Sequence, residues 1–460
     1  MAEENYFDNI SYIFIPFRYS DNGDGSSLPA VLDRGGNWIQ AADKMQYMLK
    51  YVADKIEGKE SGKRRCLHYK LSEQAMKTFG ISGNEFYTEK HIWKGKETQF
   101  PFYILGVQLY CFTTSVHILV FQLHIECTGS GNPDGTGDGH RRLTREQMLR
   151  ISTAQYYLKK VSREKILSRG ASGVQETTLL GLAEKLMDQA DLTGKLNFFF
   201  YAGNGTERAN MLTYIEAEYQ KDYNYELYYL RRCYEENYLY FEDDKQRERE
   251  IFSVVKNIIW GISPEAAVCI ACPEMDTGDF VRTKFSRNFN EQYLFMYVLL
   301  LHQKYVLYLF LTMIDTELYE DLEKLEEYRK KLYKFETDFV YSRVTEVPQY
   351  QNLYDRLADI FSLKDMFEDV REPLLTLAEV RRMELEKQQK SREDRMNKAL
   401  FLLSLMGAFS ALVDSHEIIE MYFGQLWSEK AVLAAQGGCT AVIILVMIYV
   451  FAVLFESGKK

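Results

Sequence analysis

The sequence predicts an α+β cytosolic domain followed by long stalk helices and two C-terminal transmembrane helices. Three observations carry this reading. Up to about residue 290, short apolar runs of strand type alternate with helical stretches. From about Gln292 onward the texture is helical throughout. Ala431 to Phe455 is then 25 residues without a single charge. The implied parts are 1–290, a cytosolic α/β domain; 291–398, a helical stalk; and 399–460, a two-helix transmembrane domain.

Composition bounds the function. Of 460 residues, 46% are apolar and 14% aromatic, with 33 tyrosines, which excludes a disordered chain. Acidic residues outnumber basic ones 66 to 56, a net charge of −10. A binder of polymeric nucleic acid carries the opposite excess, because its affinity rests on neutralising phosphates. The seven cysteines have no framework spacing, and Met1 to Asn9 is acidic rather than apolar. Both features point to a reducing cytoplasm for the bulk of the chain.

In chain order, Tyr12 to Tyr19 (YIFIPFRY) reads as a strand. Phe102 to Glu126 reads as a hairpin that turns near Thr113–Ser115. Leu196 to Ala202 and Ala266 to Cys272 read as short buried strands, whereas Gly36 to Ile56 and Leu143 to Ser168 have helical spacing. The glycine-rich Gly129 to His140 (GSGNPDGTGDGH) precedes a helix start near Thr144. Such loops can cradle phosphate, but the spacing fits neither a Walker loop nor the dinucleotide fingerprint, and a surface loop is the plainer reading.

Gln292 to Ile314 is apolar but interrupted by His302, Gln303 and Lys304, so it reads as a buried packing helix. Leu318, Leu322, Leu325, Tyr328, Leu332, Phe335 and Phe339 form the next helical stripe, with Pro348 expected to end it. Pro373 is expected to kink the following helix or to start a new one. No strong breaker then appears before Gly407.

Ala399 to Val413, 15 residues, makes about 22 Å of helix, short of the roughly 30 Å hydrocarbon core. It spans if Asn397 and Asp414 face water rather than lipid. Arg392, Arg395 and Lys398 precede it, and Lys459 and Lys460 follow the second run. The stretch Asp414 to Lys430, read as an acidic loop, carries Asp414, Glu417, Glu420 and Glu429. Positive-inside bias therefore places both termini in the cytoplasm of a multi-pass protein of the cell (inner) membrane. A single tail anchor is the simpler alternative.

Asn397, Leu400, Ser404, Gly407, Ala411 and Asp414 recur at alternating steps of three and four, a mostly polar or small face. Around a symmetry axis that face lines a pore, with Asp414 as a carboxylate ring and Glu417 and Glu420 at its outer mouth. Helix packing through small residues accounts for the same pattern.

Other motifs are weaker. Cys269-Ile-Ala-Cys272 lacks the second ligand pair of a zinc site. His416-Glu-Ile-Ile-Glu420 lacks the second histidine of a zinc-protease helix. Tyr219 to Tyr240 holds eight tyrosines around Arg231 and Arg232, a candidate for stacking on a base and pairing with phosphate. Arg141 and Arg142, beside the glycine-rich loop, are a second such candidate. Half-buried strand or helix faces explain the composition of the first cluster and are the plainer reading. No catalytic constellation stands out, and the metal-binding residues are left open.

This layout resembles the CorA-like superfamily: an α/β domain, long charged helices, one of them running into the first span, a short outer connection and a basic Lys459–Lys460 end. The resemblance covers the whole chain as architecture and is specific for the last 90 or so residues. The Gly-Met-Asn signature of the magnesium transporters is absent; the corresponding region reads ALVDSHEIIEMYF. The hydrated-ion filter of that motif therefore does not carry over, whereas the funnel-shaped homopentamer does as an expectation. Members without the signature and with enlarged, aromatic-rich domains resemble effectors of type III CRISPR systems. That resemblance implies a nucleotide second messenger, SAM-AMP, bound by the cytosolic sensor domain. A Mg2+ transporter of the same fold and a tail-anchored cytosolic enzyme are the competing expectations.

Overall fold

The computed structural model describes residues 7–20, 27–42, 45–58, 62, 64–127, 142–170, 173–188, 192, 195–198, 208–275, 279–314, 322–423 and 426–457. The chain divides into two compact units. The first comprises Met1–Asp315 and Glu327–Glu372, the second Thr316–Glu326 and Pro373–Lys460.

The first unit opens with β1 (Asn9–Tyr19), α1 (Leu28–Gly35), β2 (Trp38–Gln40), α2 (Lys50–Glu57), β3 (Cys66–Leu71) and α3 (Glu73–Thr78). It continues through β4 (Glu85–Thr88), β5 (His91–Trp93), β6 (Lys96–Thr98) and the long hairpin β7 (Pro101–Phe112) and β8 (Val116–Ile125). After α4 (Arg145–Leu158) come β9 (Lys165–Gly170), β10 (Gly173–Thr178), α5 (Leu179–Leu186), β11 (Leu196–Asn197) and β12 (Asn210–Glu216). Then follow α6 (Asn224–Arg232), α7 (Asp244–Glu250), β13 (Ile251–Val255), β14 (Ile258–Ile262) and β15 (Ala266–Ala271). The short α8 (Ser286–Asn288), between two π-helical turns, leads into α9 (Leu294–Met313). Most of α10 (Leu322–Phe339), all of α11 (Pro348–Ile360) and the start of α12 (Leu363–Phe423) complete the unit.

Among the described residues, thirteen strands form one sheet, with main path β10-β9-β4-β7-β8-β1-β12-β15-β14-β13. Every neighbouring pair is antiparallel except β12 with β15. Strand β1 lies at the centre and is apolar on both faces, which is why it shows no alternation in sequence. Its odd-numbered residues Ile13, Ile15 and Phe17 join the large core cluster with Ile151 and Ala154 of α4. Ser11, on that same face, accepts a hydrogen bond from Gln155 Nε2 at 3.1 Å. Its even-numbered residues turn to the other side, where Phe14 meets Tyr297 of α9 at 5.0 Å between ring centroids. The result is helix, sheet and helix in three layers.

The hairpin forms where the sequence places it, with Leu109 opposite Leu119 and residues 113–115 as its turn. Strands also form at Tyr12–Tyr19 and Ala266–Ala271. Leu196 and Asn197 form a two-residue strand, and 199–202 lie outside the described residues.

Other expectations are corrected. Gly36 to Ile56 is not one helix. Gly36 is the left-handed C-cap of α1, at φ +71°, so it stops a helix where periodicity suggested a start. Only Lys50 onward is helical, as α2. Leu143 to Ser168 is helical only over α4, opened by a Thr144–Gln147 capping box; its tail becomes sheet strand β9. Pro348 does not end α10, which stops at Phe339. It starts α11 from the first helical position, where a missing N–H costs nothing. Pro373 lies inside the continuous helix α12, and the border between the two units falls at that residue.

Helix α9 is a core element. Of its apolar window, 78% is buried within the folded chain. The three polar residues that interrupt it are accommodated there. His302 Nε2 shares a hydrogen bond with Thr114 Oγ1 at 2.8 Å, and Gln303 Nε2 donates to the Phe339 carbonyl at 2.7 Å. Lys304 Nζ lies 3.5 Å from Asn210 Oδ1. The α10 stripe predicted from spacing buries Leu332, Phe335 and Phe339.

The second unit holds the rest of α12 and α13 (Glu429–Ser457). Among the described residues three helices, including α9, are long and apolar enough to cross a membrane; the other two are these.

Candidate functional site

The second unit is built on α12 and α13, each carrying a stretch apolar enough to cross a membrane. Neither the apolar window of α12 nor that of α13 has any buried share in the chain itself. In water such a surface is a large free-energy cost; in a bilayer it is ordinary solvent contact.

The six stripe residues sit on a single uninterrupted helix. Asn397, Leu400, Ser404, Gly407, Ala411 and Asp414 therefore share one face over about 26 Å. All six are exposed. Ser404 Oγ donates to the Leu400 carbonyl at 2.9 Å, which keeps the hydroxyl satisfied without a second helix. A Cβ added at Gly407 would meet nothing within 4 Å.

The acidic segment is where sequence reasoning needs correction. Asp414 to Phe423 is not loop: α12 continues to Phe423, and the connection to α13 spans only a few residues. Asp414, Glu417 and Glu420 thus stand on the last turns of the helix, all exposed, at fixed rotational positions. His416 faces the partner helix. Its Nε2 lies 3.0 Å from Thr440 Oγ1, and Thr440 Oγ1 also donates to the Gln436 carbonyl at 2.8 Å. This polar link sets the register of α12 against α13, and no sequence motif pointed to it.

The nucleotide candidates of the first unit separate differently. Arg231 is fully buried and bridges Glu250 Oε2 at 2.9 Å and Glu242. Arg232 Nη2 reaches the same two carboxylates at 3.2 and 2.9 Å and lies over the Tyr228 ring at 4.5 Å. Two arginines and two glutamates make a neutral cluster that ties α6 to α7 and to its neighbouring loop. Burial pushes the Arg231 guanidinium down to about 10. Both arginines are thus already engaged by carboxylates. The surrounding tyrosines pack on one another, as Tyr228 and Tyr229 do at 5.2 Å. Arg142 pairs with Glu274. Arg141 and the glycine-rich loop lie outside the described residues.

Cys269 and Cys272 are free, buried thiols pushed up from their ordinary range by burial. Among the described residues, no group of three or more His, Cys, Asp or Glu side chains is placed to hold a metal ion.

Sequence reasoning missed a polar recess between β3, β7 and the turn leading to α9. His68 Nε2 lies 3.0 Å from Gln108 Oε1, the Tyr110 hydroxyl donates to the same oxygen at 3.2 Å, and the His68 and Tyr110 rings stack at 4.3 Å. Alternation along β3 and β7, with polar residues at inward positions, is the signal that marks it.

No protein-family model, no curated protein and no solved structure matches the chain.

Proposed function

We propose that the chain is a CorA-like membrane effector, a homopentamer whose two C-terminal helices per protomer cross the cell membrane with both termini in the cytoplasm. The stripe from Asn397 to Asp414 lines the pore, and the Asp414 carboxylates form a ring that attracts cations at its outer end. Glu417 and Glu420 extend the negative potential outward. The observation that carries this reading is the polar face itself. It is continuous, it belongs to a helix too apolar for water, and nothing in the described chain covers it. A lone lipid-facing helix has no use for such a face.

The large sheet unit is the sensor. In line with the resemblance to type III CRISPR effectors, its ligand is a nucleotide second messenger of the SAM-AMP kind. Such a ligand opens or closes the pore only through a difference in its affinity for the two states.

The test is ion flux in liposomes containing the purified full-length protein, with and without adenine-nucleotide messengers. Flux that depends on one messenger supports the gated effector. Steady magnesium flux without messenger replaces it with a transporter. Asp414→Ala is expected to lower cation-over-anion selectivity several-fold in reversal-potential measurements; unchanged selectivity and flux would remove the carboxylate ring from the account.

A further inference from the structure

At the turn of the β7–β8 hairpin the first unit contains a cavity of about 290 Å³, at the small end of the range of ligand pockets. Among the described residues its lining has three cations, Arg18, Lys331 and Lys334, and no carboxylate. Thr113 and Ser115 stand in the same lining, which also includes the apolar Phe310 and Phe335, whose ring centroids lie 6.4 Å apart.

The cations are unequal. Lys331 is paired with Glu327 at 2.7 Å on the exposed side. Arg18, by contrast, has a buried Nε with no hydrogen-bond partner, and among the described residues neither Arg18 nor Lys334 forms an ion pair. A buried guanidinium donor without an acceptor is a standing cost that an incoming oxyanion removes. Thr114 is excluded from that role because its hydroxyl is engaged with His302.

Two unpaired cations and two hydroxyls match the charge and the several acceptor oxygens of a phosphate better than a single carboxylate. The aromatic and aliphatic wall requires a body that leaves water readily. We propose that this cavity binds a phosphate ester with an apolar or aromatic body, its phosphate held by Arg18 and Lys334 and its body laid against Phe310 and Phe335. The inference rests on the first unit alone and stands apart from the pore reading.

The experiment is calorimetric titration of the full-length, detergent-solubilised protein with adenosine monophosphate and with a short-chain lysophosphatidate. The neutral controls are adenosine and the matching monoacylglycerol, together with inorganic phosphate. One of the two esters is expected to bind at least about tenfold more tightly than its neutral counterpart and than phosphate alone. The one that binds identifies the body as nucleoside or acyl chain. Arg18→Gln and Lys334→Gln are each expected to weaken that binding about tenfold or more. Lys334 is exposed, so its substitution leaves the fold intact if Arg18→Gln does not. Equal binding of ester and neutral control, equal binding of inorganic phosphate, undiminished binding in Lys334→Gln, or no binding of either ester overturns the proposal.

Discussion

Helices α9 and α12 carry apolar stretches of equal mean hydropathy, yet the folded chain buries 78% of the first window and none of the second. Helix α9 meets the even-numbered face of a central strand, with Phe14 against Tyr297, and the described chain offers a partner to each of its interrupting residues, His302 through Nε2, Gln303 through Nε2 and Lys304 through Nζ. Helix α12 has Ser404 satisfied by its own backbone and His416 by Thr440, while no part of its apolar window is buried in the described chain. Hydropathy thus measures the wish to leave water and not the medium that receives the helix. Which medium it is depends on whether the fold supplies a second apolar surface.

The sharpest way to break this contrast is to delete residues 394–460. The shortened protein is expected to run as a monodisperse species in size-exclusion chromatography without detergent, whereas the full chain requires detergent. If the shortened chain still aggregates without detergent, α9 is not acting as a core helix.

A second comparison uses matched truncations. Leu300→Ala in α9, where the side chain is fully buried, is expected to cost about 2–5 kcal/mol in denaturant unfolding of the sheet unit. Leu402→Ala in α12, where the side chain is 59% exposed, is expected to leave that unfolding within about 0.5 kcal/mol. Similar losses for both would erase the distinction.

The sheet unit also contains a titrating group of its own. Burial raises the Glu216 carboxyl to about 8 from an ordinary 4.5, with Arg282 partly opposing the shift. The folded chain therefore holds this proton up to about pH 8, while the unfolded chain releases it near 4.5. Stability is expected to fall as pH rises through that window. Glu216→Gln keeps an acceptor for the Tyr214 hydroxyl, which donates to Glu216 Oε1 at 2.7 Å, and removes the titration. It is expected to stabilise by on the order of 1 kcal/mol at pH 8 and to flatten the difference in Tm between pH 5 and pH 8. An unchanged pH slope would show that this carboxyl is ionised in the folded chain.

The smallest expected effect lies in the hairpin. His416→Ala removes the link to Thr440 and is expected to cost about 0.6 kcal/mol in a steric-trap or reconstituted unfolding measurement. A loss of several kcal/mol would mean that this contact organises far more than the register of two helices.

Much of this was legible residue by residue. The α10 stripe declares itself through periodicity, the Tyr12 to Tyr19 run and the hairpin around residues 113–115 through apolar and aromatic runs, and the long α13 run through its absence of charge. The errors cluster at punctuation. Gly36 closes α1 and Pro348 opens α11, the reverse of what local spacing suggests, because the same residue type can close one element or open the next. Charge at Asp414, Glu417 and Glu420, at the edge of an apolar run, looks like an ending in the sequence, whereas the helix continues to Phe423. Arg231 and Arg232 looked available for phosphate because the glutamates that neutralise them, Glu242 and Glu250, are ten or more residues away in sequence. Arg18 gave no signal at all, since an unpaired cation is defined by what fails to approach it.

By itself, the sequence determined the quantities that are local along the chain: which segments repeat at the period of a strand or a helix, where charge is excluded for 25 residues, and which face of α12 is polar. The tertiary structure decided everything that depends on a partner distant in sequence. It made α9 a core helix, spent two arginines on two glutamates, and left Arg18 facing a cavity. The physical reason is that backbone periodicity is set by neighbours a few residues away, whereas burial and the pairing of charges are set by whatever the fold carries into contact.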